Sequence, residues 1–387
     1  MSPHATATTA VVINHGCKLN QCEGESLAAE LERCGVRVHR GPGWPEPGPD
    51  LVIVNSCTVT GKADRKSRHS ILRAARRVAP GGRVIVTGCY AQTDPDTLRA
   101  IPGVHLVVGG REKGDLVRLA LGSPAERAPA HSAALEPFWF AGGVPGTRSR
   151  AFLKVQDGCD MRCSYCKVPL ARGGSVSRDP AEVQAAAAEL AGRGYREIVL
   201  TGVNLGTYRH GRVRLAGLLG MLLEELPGSC RIRLSSIEPL FFDQPLLEVI
   251  ASGRRILPHF HIPLQSGSDR VLGHMQRPYT GERFLEVAAR LRELRPGCHL
   301  ALDVLVGFPS EREEDFLRTV EVVREAAPAS LHVFRYSRRE HTPAAALPDR
   351  VSCGEKARRS RMLIDLGEEF NYRYRRMFAG KVLEGVV

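Results

Sequence analysis

The stretch that most constrains this chain is a short loop at residues 155–173, VQDGCDMRCSYCKVPLARG, with cysteines in a C-x3-C-x2-C array. Thiolates this close together can bind three irons of a cubane [4Fe–4S] cluster, whereas a cluster held entirely by protein has four thiolates. Zinc sites usually show paired C-x2-C sequences or added histidines, and this loop contains no histidine. Cys159, Cys163 and Cys166 therefore predict a cluster with one iron open to a small molecule, and incidental structural cysteines are the weaker alternative.

Three segments near the N-terminus share one design, a short β-branched run followed by a small or polar residue and then a cysteine. The runs VVI, LVIV and RVIV lead to Cys17, Cys57 and Cys89. Such runs are typical of buried parallel strands, and the helical patterns at residues 23–34 and 62–78 between them predict an open parallel α/β sheet. Ligands bind at the carboxyl ends of such strands. We therefore expect a second cluster here, although a single strand-end cysteine is usually a small buried apolar residue.

The remainder of the chain alternates strands with helices in a pattern that predicts an incomplete (β/α)6 barrel. The predicted strands are residues 151–155, 196–201, 231–235, 259–264, 299–306 and 330–334. A barrel places its functional loops at the carboxyl ends of its strands. Polar side chains and glycines follow four successive strands, at residues 201–204, 235–239, 261–269 and 303–309. These ends predict a mouth lined for a ligand.

The net charge of +12 and the pI of about 9.4 favour a polyanionic partner, nucleic acid first. An arginine-rich composition without RNA binding is the alternative. The helix predicted at residues 62–78 has a basic face that includes Arg65 and Arg68, which suits either phosphate contacts or a solvated surface. Arg172 can pair with a carboxylate or phosphate through its planar fork, or can be an ordinary surface arginine.

The composition indicates a soluble protein of the cytoplasm. No apolar run approaches the ~20 residues that a membrane span needs, and the N-terminus lacks the blocks of a signal peptide. Eleven cysteines without an export signal indicate reduced thiols or metal ligands. We predict domains at residues 9–121 and 148–376, a linker at 122–147 rich in Ala, Pro and Gly, and a further segment at 377–387.

The whole chain resembles the radical S-adenosylmethionine (SAM) methylthiotransferases. The matching words, in order, are GCKLNQ at residues 16–21, NSCTVT at 55–60, TGCYAQ at 87–92, the cysteine loop ending ARG at 171–173, RLSSIEP at 233–239 and HIPLQSGSD at 261–269. Members of this family install a methylthio group, most of them on C2 of an adenosine beside the tRNA anticodon. They usually end in a small β-barrel RNA-binding module, and this chain stops about where its first strand would begin, so that module is expected to be absent or truncated.

The resemblance implies two [4Fe–4S] clusters, with Cys17, Cys57 and Cys89 holding the second one. It also implies two uses of SAM, one that methylates a sulfur species and one that is cleaved to a radical. We expect SAM to contact Tyr165, Asn204, Ser235, Glu238, Gln265 and Gly307. We expect the tRNA substrate to contact Arg172, Arg65 and Arg68. An electron donor such as flavodoxin or ferredoxin and a sulfur donor are further implied partners.

The residues of several motifs distinguish the branches of this family. GCKLNQ, NSCTVTGKADRKSR, TGVNLG and FRYSRREHTPAA resemble the branch that acts on N6-threonylcarbamoyladenosine at position 37 of tRNA. The alternatives are the branch acting on isopentenyladenosine in tRNA and the branch acting on an aspartate of a ribosomal protein. A non-catalytic iron–sulfur RNA-binding protein is the alternative from another class, and it would release no 5′-deoxyadenosine under reductant.

Overall fold

The computed structural model describes residues 8–41, 43–110, 112–122, 138–139, 149–383 and 385. The chain divides into two compact units, the first formed by Met1–Gly146 with Lys167–Gly173 and the second by Thr147–Cys166 with Gly174–Val387. The end of the cysteine loop thus packs with the first unit, which no sequence signal indicated. Apart from Gly122 and residues 138–139, the predicted linker at 122–147 lies outside the described residues.

The first unit is built on a parallel sheet with helices on both faces. Its described strands are β1 (Thr9–Asn14), β2 (Arg37–Val38), β3 (Leu51–Ser56), β4 (Arg83–Gly88) and β5 (Leu106–Val107), in the order β2-β1-β3-β4-β5. Its described helices are α1 (Lys18–Arg33), α2 (Gly61–Arg77), α3 (Cys89–Thr93), α4 (Pro95–Arg99), α5 (Leu116–Leu121) and α6 (Val168–Arg172).

The central strand β3 explains why this sheet is covered on both sides. Every residue of β3 is buried. Leu51 and Ile53 pack in one hydrophobic core with residues of α1 and α5, whereas Val52 and Val54 pack in another core with residues of α2. Side chains alternate between the faces of a strand, so a continuous apolar run requires an apolar layer on each face. The predicted open parallel α/β sheet is confirmed.

The second unit contains parallel strands and antiparallel ribbons. Its described strands are β6 (Ala151–Lys154), β7 (Gln156–Asp157), β8 (Val176–Ser177), β9 (Glu197–Thr201), β10 (Arg209–His210), β11 (Val213–Arg214), β12 (Arg231–Leu234), β13 (His259–Gln265), β14 (His299–Val306) and β15 (Ser330–Arg335). Its described helices are α7 (Pro180–Gly192), α8 (Leu215–Glu225), α9 (Gln244–Ser252), α10 (Asp269–His274), α11 (Gly281–Leu294), α12 (Glu313–Ala326) and α13 (Cys353–Arg376).

The parallel strands of this unit match those expected for the incomplete barrel. Strands β6, β9 and β12 pair in parallel, as do β13, β14 and β15. A parallel bridge between Ser236 and His261 links the two groups just beyond β12. The strands β7 and β8, and β10 and β11, form separate antiparallel ribbons. The fold class predicted for the barrel is therefore confirmed in the described part of the chain.

Alternation along the barrel strands separates a packed outer layer from a polar inner face. In β13, Phe260, Ile262 and Leu264 pack in the core that the strands share with helices α7, α8, α9, α11 and α12. Side chains of His259 and His261 therefore lie on the opposite face of the sheet. The same alternation in β14 and β15 places Asp303 and His332 on this inner face.

The long helix α13 is held to this unit by a buried ion pair. Arg359 Nη1 lies 2.6 Å from Glu311 Oε2, and the side chains are only 5% and 1% exposed. Arg359 also pairs with Glu313 and Glu355, as does its neighbour Arg358, whose side chain is 44% exposed. Two adjacent arginines thus share partners but differ in burial.

We expect Arg359→Ala to lower the free energy of unfolding by roughly 3–5 kcal/mol, because it leaves the Glu311 carboxylate buried without its partner. Arg358→Ala should cost only about 0–1 kcal/mol, because exposed ion pairs contribute little. Urea-induced unfolding monitored by circular dichroism measures both. Equal losses in the two variants would contradict the assigned role of the buried pair.

Candidate functional site

The N-terminal cysteines lie at the carboxyl ends of neighbouring strands. Cys17 follows β1 and precedes α1, Cys57 follows β3, and Cys89 follows β4 as the first residue of α3. Because β1, β3 and β4 are adjacent and parallel, their carboxyl ends meet at one edge of the sheet. The structure therefore brings together the cysteines that the sequence proposed for a second cluster.

The electrostatics of these thiols reflect their proximity. Burial, with the neighbouring thiol of Cys89, raises the pKa of Cys57 to about 12. Burial also raises the pKa of Cys89, and Cys17 acts on both of its neighbours in the same direction. Without metal the buried thiols stay protonated at neutral pH, so binding iron must displace their protons. A set of three soft sulfur ligands fits a cluster with one iron left open.

Gly16 leaves space for the thiol of Cys57 at the carboxyl edge of the sheet. Gly16 has φ of +98°, and an added Cβ would lie 2.6 Å from Cys57 Sγ. A side chain at this position would therefore enter the volume of the Cys57 thiol as well as strain the backbone. By contrast, Gly35 in the same unit has φ of +80° with no atom within 4 Å of the position of an added Cβ.

Asn20 and Arg172 form a buried polar layer beside the cysteines. The Nδ2 of Asn20 donates to His15 O at 2.8 Å and to Ser56 O at 2.9 Å, which ties together the loops after β1 and β3. Its Oδ1 accepts from Arg172 Nη2 at 2.6 Å and lies 4.0 Å from Cys89 Sγ. Asn20 lies within the GCKLNQ motif, but nothing in the sequence indicated that its side-chain amide joins these loops.

The arginines proposed for tRNA have different surroundings. Arg172 is buried and pairs with Glu23 at 3.0 Å, so its guanidinium already has protein partners. Arg68 donates to the hydroxyl of Tyr90 at 2.6 Å, whereas Arg65 is exposed on α2. Their predicted role in binding tRNA stays a prediction for all three arginines.

The cysteine loop of the second unit is a compact turn against α10. Cys163 is buried, and Cys159 and Cys166 are partly buried. The N–H of Cys166 donates to Cys163 O at 3.1 Å, and the N–H of Ser164 donates to Met275 O at 3.0 Å. Burial raises the pKa of Cys159 to about 11 and also raises that of Cys163. Without metal, burial therefore keeps the thiols of Cys159 and Cys163 protonated at neutral pH.

Polar side chains after β9 and β12 have unused hydrogen-bonding capacity. Asn204 and Glu238 are buried, and among the described residues neither Asn204 Oδ1 nor Glu238 Oε2 has a hydrogen-bond partner. Ser235 is also buried, and its hydroxyl accepts from the N–H of Gly202 at 3.2 Å. Buried polar atoms are nearly always paired, so unpaired ones indicate a missing ligand or water. These atoms fit polar groups of a bound cofactor.

The other residues proposed for SAM lie in conformations that the sequence did not specify. Gln265, at the end of β13, has φ of 63°, a left-handed value uncommon outside glycine. Gly307 has φ of +74°, and an added Cβ would lie 2.3 Å from Lys356 Cγ, so close packing explains that glycine. Tyr165 packs edge-on to Phe308 in a small hydrophobic cluster. Contact of these residues with SAM stays a prediction.

A histidine–aspartate network on the inner face was not identified as a site from the sequence. His261 Nδ1 lies 2.6 Å from Ser236 Oγ, and its Nε2 lies 2.8 Å from Asp303 Oδ1. His332 Nδ1 lies 3.0 Å from the same oxygen. Hydrogen bonds from these two imidazoles hold the pKa of Asp303 well below its usual range despite burial. The strand-end pattern included Ser236, His261 and Asp303, but their pairing with one another and with His332 depends on strand register.

None of the helices in the described ranges is long and apolar enough to cross a membrane.

Comparisons with known families and proteins agree with this geometry. The model of the radical SAM superfamily matches residues 153–323, and that of the uncharacterized protein family UPF0004 matches residues 9–109. Threonylcarbamoyladenosine tRNA methylthiotransferase MtaB of Bacillus subtilis is 39% identical over 95% of this chain and 82% of its own length. Its Thermotoga maritima namesake is 35% identical, with 95% and 83% covered. The tRNA-2-methylthio-N(6)-dimethylallyladenosine synthase of Mycobacterium bovis is 34% identical, with 99% and 77% covered.

Solved structures show the same fold at low sequence identity. The radical SAM methyltransferase TsrM of Kitasatospora setae, with tryptophan and a SAM analogue bound, has a TM-score of 0.65 at 18% identity over 88% of this chain and 75% of its own. The cobalamin-dependent radical SAM enzyme OxsB has a TM-score of 0.55 at 11% identity, with 95% and 56% covered.

We expect Gly16→Ala to lower the iron content of the reconstituted protein by about half, because the new methyl group displaces the Cys57 sulfur and one of two four-iron clusters is lost. Gly35→Ala is the matched control, since it imposes the same left-handed strain of roughly 1–2 kcal/mol without a clash. Anaerobic iron and sulfide analysis measures both variants. Equal iron contents in the two variants would contradict the assignment.

The pKa of Asp303 predicts how its contribution to stability depends on pH. A lowered folded-state pKa stabilises the fold above the unfolded value of about 3.9, and this contribution is lost as the pH falls below it. Asp303→Asn should therefore be less stable than the parent at pH 7, and the difference should shrink below about pH 4. Urea unfolding midpoints from pH 3 to 7 test this, with the exposed Asp365→Asn as a control expected to show little effect. A difference that does not vary with pH would contradict the paired state of Asp303.

Proposed function

The chain belongs to the radical SAM methylthiotransferases, and we propose that it transfers a methylthio group to C2 of N6-threonylcarbamoyladenosine at position 37 of tRNA. The observation that carries this proposal is the set of cysteines at the carboxyl edge of the first unit, in addition to the cysteine loop of the barrel. A radical SAM enzyme needs only the loop to cleave SAM. A second, separate set of sulfur ligands supports sulfur insertion.

The proposed cofactors are those of the family, SAM and [4Fe–4S] clusters. Cys159, Cys163 and Cys166 would hold the cluster that binds SAM, and the N-terminal cysteines would hold the second. When bound, the first group supplies the electron that cleaves SAM to methionine and a 5′-deoxyadenosyl radical, and the second presents sulfur for transfer. No side chain can remove hydrogen from an unactivated aromatic carbon, so the chain's own residues bind, orient and exclude water.

The residues around the barrel mouth have binding roles in this proposal. Asn204 and Glu238 would use their unpaired oxygens on the amino and hydroxyl groups of SAM, both of which donate hydrogen bonds. The side chains of Ser235 and Gln265 would make the remaining polar contacts to SAM. The left-handed backbone at Gln265 would set the direction of its side chain. Asn204 and Glu238 are buried with one unpaired oxygen each, so binding SAM there would replace water or unmet hydrogen bonds rather than other protein contacts.

The proposed macromolecular substrate is tRNA. The net charge of +12 favours binding of a polyanion, and the relatives of Bacillus subtilis and Thermotoga maritima are named for tRNA modification. Arg65 is exposed on a basic helix and is the best placed of the proposed arginines to contact phosphate directly. An electron donor such as flavodoxin or ferredoxin and a sulfur donor complete the proposed partners, with action on tRNA in the cytoplasm.

The domain division at residues 9–121 and 148–376 is part of the same proposal. The first domain would carry the second cluster, and the other would carry SAM cleavage. The Mycobacterium bovis relative, named for dimethylallyladenosine, keeps that nucleoside as the second candidate substrate. The N6 substituent of the first candidate carries a carbamoyl group, a hydroxyl and a carboxylate, whereas that of the second is an apolar alkenyl group. Assays on tRNA bearing each modification would separate them.

We expect Cys163→Ala to abolish both SAM cleavage and product, because that thiolate is proposed to hold the cluster that cleaves SAM. Cys57→Ala should retain 5′-deoxyadenosine formation and lose methylthiolation, because only the second cluster is affected. Mass spectrometry of nucleosides from tRNA, with 5′-deoxyadenosine quantified in the same reaction, measures both. Cys230→Ala, a buried cysteine outside both sets, is the control.

The outcomes separate the candidate functions. Methylthiolated nucleoside from the Cys57 variant would contradict the division of labour between the two cysteine sets. A parent with its full iron content that forms neither 5′-deoxyadenosine nor methylthiolated nucleoside would support a non-catalytic iron–sulfur protein instead.

A further inference from the structure

We propose that Arg277 is a positioning residue for the SAM-cleaving site: its guanidinium holds the Cys163 sulfur and raises the reduction potential of the cluster bound there. This inference rests on the proposed role of Cys163 as an iron ligand. Arg277 was not among the residues expected from the sequence, and it is separated from Cys163 by more than a hundred positions.

Arg277 contacts the sulfur of Cys163 directly. Arg277 Nη1 lies 3.4 Å from Cys163 Sγ as a hydrogen-bond donor and 2.9 Å from Glu238 Oε1. The side chain of Arg277 is 3% exposed and that of Glu238 is 11% exposed. In a site shielded from water, a charged donor interacts with a thiolate more strongly than it would at the surface.

The backbone before Arg277 is strained and is tied to the cysteine loop. Gln276 has φ of 57°, a left-handed value that costs roughly 1–2 kcal/mol in a residue other than glycine. Ser164, next to Cys163, donates from its N–H to Met275 O at 3.0 Å and from its hydroxyl to His274 O at 2.8 Å. The strained turn is thus joined to the cysteine loop, and strain that persists at one point commonly marks a functional constraint.

The pair of Arg277 and Glu238 retains unused hydrogen-bonding capacity. Among the described residues, Arg277 Nε and Glu238 Oε2 have no hydrogen-bond partner, although both are buried. Leaving a buried charged pair partly unsatisfied is costly, and a pair serving only stability gains nothing from it. Tyr279 lies with its ring 5.4 Å from the guanidinium carbon and donates to Pro263 O, which fixes the other side of the pair.

These contacts give the direction of the effect on the cluster. Reduction adds one electron to the cluster, and the added negative charge is shared with its thiolate ligands. A positive N–H donor on Cys163 Sγ stabilises the reduced form more than the oxidised form, so it raises the potential. The Glu238 carboxylate opposes part of this charge while holding the guanidinium in place. Removing Arg277 should therefore make the cluster harder to reduce.

The test compares Glu238→Gln with the double variant Glu238→Gln/Arg277→Met, so that no carboxylate is left buried without its cation. The midpoint potential is measured in the reconstituted full chain by redox titration followed by electron paramagnetic resonance. The relevant signal is the one lost in Cys163→Ala. We expect the double variant to shift the reduction equilibrium at least tenfold toward the oxidised form, which is 59 mV for one electron. Arg290→Met, at an exposed ion pair, should leave the potential unchanged.

A further variant keeps the inference testable if the double variant assembles little cluster. Arg277→Lys retains the charge but loses the fork that reaches Cys163 and Glu238 together, so it should shift the potential the same way by a smaller amount. Unchanged potentials in these variants at full iron content would overturn the inference and leave the proposed function intact. A Cys163→Ala protein that loses no signal would overturn the inference together with the proposed function.

Discussion

The proposed chemistry depends on the burial of thiols, at Cys57 and Cys89 in the first unit and at Cys163 in the second. A buried thiol does not ionise near neutral pH, as the raised pKa values of Cys57 and Cys159 express. Iron reverses that preference, because the metal supplies the positive charge that a buried thiolate needs. In the proposed function, iron binding at the two cysteine sets would displace the protons of the buried thiols and would add to the stability of each unit.

Buried polar side chains lie beside the cysteines in both units, at positions where a protein core usually has apolar side chains. Asn20 ties the loops after β1 and β3 together, and its carbonyl oxygen accepts from Arg172. In the second unit, Arg277 and Glu238 occupy the corresponding place beside Cys163. In both units a buried arginine stands near sulfur and is fixed by a side-chain oxygen. The proposed clusters would place thiolate charge beside both arginines.

Much of this architecture follows from local sequence patterns. Continuous β-branched runs such as the one in β3 predicted buried parallel strands, and the strand ends predicted which cysteines would meet. Contacts that depend on register or on a turn were not predictable. His332 reaches Asp303 only because β14 and β15 pair in register. Arg277 reaches Cys163 from a turn in which Gln276 adopts a left-handed conformation that its sequence does not require. The packing of Lys167–Gly173 with the first unit likewise has no local signature.

The measurement that tests the central claim most directly is iron and sulfide analysis after anaerobic reconstitution. The parent is compared with two triple alanine variants, one at Cys159, Cys163 and Cys166 and one at Cys17, Cys57 and Cys89. Two independent clusters predict about eight irons in the parent and about four in each variant. About four irons in the parent, all lost in the first variant and retained in the second, would contradict the claim. The N-terminal cysteines would then be structural, and the chain would have a single cluster that cleaves SAM.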